Sequence, residues 1–181
     1  MHIVAFTGKK GSGKDTAAEA LKKIGYKHLS FADPLREITN IAYGVTYEEM
    51  TDPILKEKKL DRYPFMSPRE LLTKLGTQAF RDLIDQQTWV KALERRAREH
   101  DKVVISDLRF LNEEKMLREN NGLIIRIINP RKQDNDEFTS HRSETEMDGI
   151  SPDYTIDNSG TIEQLHHAVH EVVANSLGEV A

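Results

Sequence analysis

Cysteine is absent from the 181-residue sequence, which excludes disulfide bonds and thiolate metal sites without identifying a cellular compartment. The chain also lacks an apolar run near the ~20 residues of a membrane span, and its start shows no signal-peptide pattern. A formal net charge of -4, with 31% charged residues, gives no indication of a broad basic surface for nucleic acid. We therefore expect one soluble domain in the cytoplasm that contacts neither membrane nor nucleic acid.

The first chemical signal lies at the start of the chain, where an apolar strand runs into the loop Gly8-Lys-Lys-Gly-Ser-Gly-Lys-Asp-Thr16. Gly8, Gly11 and Gly13 allow successive backbone N–H groups to converge on phosphate oxygens. The helix that follows adds its positive N-terminal end at the same point. This pattern predicts a phosphate-binding loop (P-loop) in which Lys14 follows the transferring phosphoryl group. The alternative is a glycine-rich turn that binds nothing.

A second signal is the short β-branched run at residues 102–105, which leads into Asp107. It is typical of a buried parallel strand that carries a carboxylate to the ligand-binding edge of a sheet. Asp107 is therefore expected to hold Mg²⁺, directly or through water. Arg109 follows two residues later and is expected to reach the same crevice.

Residues 26–31 are a further strand candidate, and Asp33 and Arg36 come directly after it. Because ligands of open α/β sheets bind beyond the carboxyl ends of the strands, both are candidates for contact with an acceptor substrate. The alternative is structural: Asp33 caps a helix with Pro34 at its first position, and Arg36 is solvated.

A helix is predicted from residue 69 to about residue 84, where apolar residues recur every three or four positions. Ser67 and Glu70 form a capping box at its start, with Pro68 at the first helical position. Gln78 and Arg81 lie three apart and are therefore expected to share one sector of the helix surface.

The polar stretch at residues 132–151 is preceded by Arg131 and contains His141 and Arg142. Long polar loops in compact domains are commonly functional, and we interpret this one as a lid whose cations meet the transferring phosphate. For His141 the alternative is a helix start with a solvated ion pair.

With these elements placed, the chain resembles the phage-type deoxynucleoside monophosphate kinases, within the P-loop nucleoside monophosphate kinase group. The resemblance is spread over most of the chain, in order and at matching spacing. Its motifs are Gly8-Lys-Lys-Gly-Ser-Gly-Lys-Asp-Thr16, Ser30-Phe-Ala-Asp-Pro-Leu35, Leu75-Gly-Thr-Gln-Ala-Phe-Arg81 with Trp89, Ser106-Asp-Leu-Arg-Phe-Leu-Asn-Glu113 and His141-Arg-Ser-Glu144.

The resemblance implies ATP-dependent phosphorylation of a deoxynucleoside monophosphate (dNMP) to the diphosphate with Mg²⁺. It implies one α/β domain over residues 1–181, with five parallel strands flanked by helices. An acceptor-binding helical region lies at about 33–100 and a lid at about 129–151. The implied substrates are small molecules, and the implied location is the cytoplasm, that of the host if a phage encodes the protein. The resemblance leaves open whether the protein forms a homodimer.

Carried onto this sequence, the resemblance assigns site residues by role. The catalytic group is Lys14, Arg109, Arg131, His141 and Arg142. The ATP-binding group is Gly8, Gly11, Ser12, Gly13, Lys14, Asp15, Thr16 and the turn Asn158, Ser159 and Gly160. The acceptor-binding group is Asp33, Arg36, Gln78, Arg81, Trp89 and Arg109. The metal group is Asp107 and Asp15.

Asp15 stands directly after the P-loop lysine, where the common pattern has a hydroxyl residue, and Thr16 comes one position later. It resembles a Gly-Lys-Asp-Thr variant of the loop, in which the carboxylate or water replaces the usual hydroxyl ligand of Mg²⁺. Two rival functions remain. One is another small-molecule P-loop kinase that resembles dephospho-CoA kinase, and the other is a nucleotide-binding regulatory protein.

Overall fold

In a computed structural model, which describes residues 1–131 and 146–177, five strands form one parallel sheet in the order β2-β3-β1-β4-β5. All four strand pairs are parallel, so the carboxyl ends of the strands share one edge. This confirms the predicted α/β fold. The strands are β1 (His2–Thr7), β2 (Lys27–Leu29), β3 (Lys102–Ile105), β4 (Leu123–Ile128) and β5 (Tyr154–Asp157).

Helices connect these strands and fill the long stretch between β2 and β3. Among the helices that the structure describes, none has both the length and the apolar character needed to span a bilayer. The α-helices are α1 (Lys14–Lys22), α2 (Asp33–Tyr43), α3 (Tyr47–Thr51), α4 (Pro68–Thr73), α5 (Thr88–Ala97), α6 (Leu111–Glu119) and α7 (Ile162–Leu177). A 3-10 helix (Leu55–Glu57) and a π-helix (Lys74–Ile84) complete the set.

The chain divides into two compact units, which we call the sheet unit and the helical unit. The sheet unit comprises Met1–Ser30 and the chain from Glu94 onward, and the helical unit is Phe31–Leu93. In the sheet unit, the apolar strands β1 and β4 are buried from both sides, as parallel strands normally are. Their side chains pack with one face of α1 and α7, through residues such as Leu21 and Val169.

The predicted helix over residues 69–84 begins as expected but changes its winding. Ser67 and Glu70 form the predicted capping box at the start of α4. From Lys74 the chain is wound as a π-helix, and its last turn ends on a bond from the Asp85 N–H to the carbonyl of Phe80, five residues earlier. Because the turns are wider, residues three apart no longer share a face.

The structure also overturns the alternative interpretation of Asp33 as a helix cap. The N-terminal cap of α2 is Ala32, so Asp33 is the first helical residue and Pro34 the second. The Asp33 carboxylate instead accepts a hydrogen bond from the Arg36 guanidinium at 2.9 Å. The structural alternative for this pair, a cap beside a solvated arginine, is therefore wrong.

Glu49 forms a surface ion pair with Arg62 in the helical unit, which should make the stability of that unit depend on pH. Arg62 Nη2 donates hydrogen bonds to both carboxylate oxygens of Glu49, at 2.8 and 2.9 Å. These bonds are the main reason why the pKa of Glu49 falls from 4.5 to about 2. An unfolded chain therefore binds more protons below pH 4.5, so this stabilisation is complete above pH 4.5 and declines as the pH falls toward 2.

We expect Glu49→Gln to lower the urea midpoint at pH 6, and the difference from wild type to shrink as the pH falls below about 4.5. Glutamine preserves the capping box with Thr46, so the variant isolates the contact with Arg62. Glu48→Gln, on the same helical turn, is the matched control. A midpoint difference that stays constant from pH 6 to pH 3.5 would contradict this assignment.

Candidate active site

The loop between β1 and α1 has the backbone that phosphate binding requires. Gly8, Gly11 and Gly13 all have positive φ, at 137°, 74° and 106°. A Cβ on Gly8 would lie 2.3 Å from the carbonyl oxygen of Ile127, and one on Gly13 would lie 2.2 Å from Nδ2 of Asn158. Glycine is therefore needed at both positions for conformation and for space.

Lys14 is the first residue of α1, and its side chain is folded into the loop. The ammonium group donates to the carbonyl oxygens of Gly8 at 2.6 Å and Lys9 at 2.8 Å, and the residue is only 8% exposed. These two acceptors are neutral carbonyls, so a phosphate oxygen at the loop would be a stronger partner for this cation than either of them. The lysine is therefore held where a bound phosphate is expected.

Two buried hydroxyl groups at the loop have no hydrogen-bond partner within the described part of the protein. They are Thr7 Oγ1, at the end of β1, and Ser12 Oγ, inside the loop. Leaving a buried hydroxyl unpaired is costly, so such groups commonly mark a place where a ligand or water binds. Their position supports the prediction that this loop binds a polar ligand.

The turn after β5 touches the same loop from a position far along the sequence. Asn158 Nδ2 donates to the carbonyl oxygen of Ser12 at 2.8 Å, across 146 positions of sequence. The Ser159 N–H donates to Asp157, and Gly160 follows just before α7 begins at Ile162. The structure thus brings the predicted adenine-side turn to the phosphate loop, a proximity that the sequence did not show.

The two predicted metal-binding carboxylates each accept a hydrogen bond from a serine at a strand end. Ser106, directly after β3, donates to Asp15 Oδ1 at 2.7 Å. Ser30, directly after β2, donates to Asp107 Oδ2. Magnesium in nucleotide sites binds one or two carboxylates and retains phosphate and water ligands. Two carboxylates therefore fit the ion, although the described residues contain no cluster of three or more metal-binding side chains.

Thr16 lies in the first turn of α1, and its carbonyl oxygen faces α7. His166 Nε2 is 3.0 Å from that oxygen. Because a carbonyl only accepts hydrogen bonds, this nitrogen carries the proton. The contact ties the helix that starts at the phosphate loop to the last helix of the sheet unit.

Arg109 is positioned by a buried carboxylate on the next helical turn. Glu113, only 1% exposed, accepts from the backbone N–H groups of Arg109 at 3.0 Å and Phe110 at 3.1 Å. These bonds cap α6 and hold the backbone of Arg109 in place beyond β3.

Arg131 is exposed, and its N–H donates to the Asn129 side chain at 3.1 Å. His141 and Arg142 lie outside the described residues.

In the helical unit, Asp33 and Arg36 form a half-buried pair that Tyr47 extends. The Tyr47 hydroxyl lies 3.4 Å from Asp33 Oδ1, and its ring lies 5.6 Å from the Arg36 guanidinium carbon. Partial burial raises the pKa of Tyr47 above 10, so its hydroxyl stays protonated as a donor at neutral pH. Sequence reasoning missed Tyr47, because only the folding of α3 against α2 brings it to this pair.

The π-helix separates the two residues that were expected to share a face. Gln78 is exposed, whereas Arg81 is only 7% exposed. The wider turns are the physical reason, since residues three apart diverge around the axis. Buried arginines are rare unless they are paired. The burial of Arg81 therefore distinguishes it from a solvated surface cation.

Trp89 is a structural residue of the helical unit. Its indole N–H donates to the carbonyl oxygen of Gly76 at 2.9 Å, its ring lies 4.9 Å from that of Phe80, and it is 3% exposed. The one polar atom of the side chain is therefore used inside the π-helix packing. The predicted contact of Trp89 with the acceptor stays a prediction, while the packing gives this residue a structural role.

Three comparisons with known proteins bear on this site. The family model described as "Deoxynucleotide monophosphate kinase" matches residues 62–169. The chain is 32% identical to a putative deoxynucleotide monophosphate kinase of Acanthamoeba polyphaga mimivirus, over 97% of this chain and 98% of that protein. It is 26% identical to the deoxynucleoside-5'-monophosphate kinase of Escherichia phage T5, over 67% of this chain and 73% of that protein.

Solved structures share the fold at low sequence identity. Dephospho-CoA kinase from Campylobacter jejuni is 16% identical with a TM-score of 0.54, over 99% of this chain and 100% of that one. TT1252 from Thermus thermophilus is 18% identical with a TM-score of 0.52, over 96% of each chain. These likenesses show the fold alone. The match over residues 62–169 and the 32% identity over nearly the whole chain show that this protein belongs to the deoxynucleotide monophosphate kinase family.

Proposed function

We propose that this protein transfers a phosphoryl group from ATP to a deoxynucleoside monophosphate, producing the diphosphate. The family match over residues 62–169 carries the proposal. It lies outside the phosphate loop, so it does not arise from the one motif that all P-loop enzymes share. The loop geometry supports the donor half of the reaction independently.

On the donor side, the backbone N–H groups of the loop and the start of α1 bind the ATP phosphates. Lys14 exchanges its two carbonyl acceptors for phosphate oxygens and follows the group that is transferred. Ser12 supplies a buried hydroxyl, and the turn at Asn158, Ser159 and Gly160 lines the adenine side.

Asp107 and Asp15 are the residues that would hold Mg²⁺, which neutralises charge on the phosphates when it is bound. ATP and a monophosphate together carry about six negative charges near neutral pH, by the phosphate ionisation constants. Arg109, Arg131, His141 and Arg142 are proposed to offset that charge during transfer. Phosphoryl transfer needs positioning and charge stabilisation more than covalent chemistry, and this cation-rich set suits it.

On the acceptor side, we assign Asp33, Arg36, Gln78, Arg81 and Arg109. The fork of a guanidinium matches a monophosphate in two parallel hydrogen bonds, which makes Arg81 and Arg109 the phosphate contacts. Asp33, held by Arg36 and close to Tyr47, is the group that accepts from the nucleoside. ATP and monophosphates are soluble metabolites, so we place the reaction in the cytoplasm.

An acceptor panel tests the proposal against its rivals. With Mg·ATP, we expect ADP formation to be at least tenfold faster with dNMPs than with dephospho-CoA or without an acceptor, because dephospho-CoA is a much larger acceptor whose extra groups have no assigned contacts. The measurement is coupled ADP release with each deoxynucleoside and ribonucleoside monophosphate at equal concentration. ADP release that is faster with dephospho-CoA would support the kinase rival, and release that ignores every acceptor would support a regulatory nucleotide-binding protein.

A further inference from the structure

At the strand ends of the sheet unit, Ser106 and His28 have no role in the proposed reaction, yet both belong to one hydrogen-bonded arrangement. Three side chains from separate elements form a hydrogen-bonded chain, which we call the Asp15 relay: Asp15 of α1, Ser106 after β3 and His28 of β2. Asp15 and Ser106 are 91 positions apart, and His28 and Ser106 are 78 apart. The contacts are 2.7 Å and 2.9 Å.

The direction of the relay follows from the acceptors. A carboxylate only accepts hydrogen bonds, so the single hydroxyl proton of Ser106 goes to Asp15 Oδ1. The Ser106 oxygen then accepts a hydrogen bond from the N–H at His28 Nε2. Ser106 is 4% exposed, so its hydroxyl cannot turn freely to solvent. His28 thereby holds the serine, and the serine holds the carboxylate.

Asp15 needs such support more than the hydroxyl residue usual at its position. The aspartate side chain is longer than that of serine. It lies at the exposed start of α1, where little packing restricts the carboxylate to one rotamer. A metal ligand that samples several orientations binds weakly, and hydrogen bonds from a second layer of residues restore the affinity. Asp107 is held in the same manner by Ser30 from the adjacent strand end.

We propose that Ser106, supported by His28, is a positioning residue that orients the Asp15 carboxylate toward the metal of the bound metal–nucleotide complex. The proposal rests on the proposed function only in taking the P-loop ligand to be a metal–nucleotide complex. In this arrangement the aspartate of the Gly-Lys-Asp-Thr loop binds the metal, and the serine before Asp107 orients that aspartate.

Metal binding measured without turnover tests the proposal. Mn²⁺ binding to the complex of the full-length protein with ADP is followed by electron paramagnetic resonance. We expect Ser106→Ala to weaken Mn²⁺ affinity about tenfold, the scale at which partners of metal ligands act. Ser106→Thr, which keeps the hydroxyl, should retain most of the affinity. Ser176→Ala removes a hydroxyl bonded only within α7 and serves as the matched control.

Two further measurements separate positioning from general damage. The affinity of Ser106→Ala for ADP in excess chelator should stay within about twofold of wild type, whereas a distorted loop would weaken it. In an Asp15→Asn background, the effect of Ser106→Ala on Mn²⁺ affinity should largely disappear, because the two residues act as one unit. Ser30→Ala acts through Asp107 and should keep its effect in that background.

Unchanged Mn²⁺ affinity in Ser106→Ala would overturn the proposal, as would an equal loss with and without Asp15→Asn. A loss of ADP affinity in chelator as large as the loss of Mn²⁺ affinity would likewise overturn it. Failure of the proposed function has a different signature. In that case the wild-type protein would phosphorylate no dNMP, while its Mn²⁺ affinity would still respond to Ser106→Ala.

Discussion

Lys14→Ala should lower kcat for dNMP phosphorylation by about 100-fold or more while the protein stays folded. The Lys14 ammonium already lies against the loop carbonyls of Gly8 and Lys9, at 2.6 and 2.8 Å. Its loss removes a charge that stabilises the transition state, and groups of that kind contribute about 10²- to 10³-fold to kcat. The measurement is steady-state ADP formation at saturating ATP and dNMP.

Lys10→Ala is the matched control for this variant. Lys10 lies in the same loop but is exposed, so its removal should change kcat by less than about threefold, as surface charges act weakly. Circular dichroism and thermal unfolding check that both variants are folded. Near-normal dNMP-dependent turnover by Lys14→Ala would contradict the assignment of the donor site.

Arg81→Lys should raise the KM for the dNMP by about 10- to 100-fold and leave the KM for ATP within about twofold. The substitution keeps the positive charge but loses the planar fork that binds a phosphate through two bonds. A hydrogen bond to a charged group contributes about 1.5–3 kcal/mol, which corresponds to the expected range. Both KM values are measured by varying one substrate at saturation of the other.

The burial of Arg81 requires a check that does not depend on activity. Arg69→Lys is the matched control, because Arg69 belongs to α4 of the same unit but is an exposed residue paired with Glu57. Calorimetric dNMP binding should weaken in Arg81→Lys and stay unchanged in Arg69→Lys. If Arg81→Lys weakened ATP binding and spared dNMP binding, the donor and acceptor assignments would have to be exchanged.

Local signals in the sequence were sufficient for most of the secondary structure. β3 has the predicted bounds, residues 102–105, since a short apolar β-branched run that leads into Ser106 and Asp107 favours a buried parallel strand. The capping box at Ser67 and Glu70 was likewise readable, because both partners lie within one helical turn. The π-helix was not readable, because the hydrogen-bond partner of a backbone N–H leaves no trace in a pattern of apolar residues.

The sequence by itself determined that this protein has a phosphate loop of the Gly-Lys-Asp-Thr type at the start of a parallel α/β fold. Glycine is strongly favoured at the positive φ of Gly8 and Gly13, so the same residues indicate both the shape of the loop and its capacity to bind phosphate. Tertiary structure decided which distant side chains serve that loop. Asn158 reaches Ser12, and Ser106 holds Asp15, because parallel strands bring their carboxyl ends to one edge of the sheet.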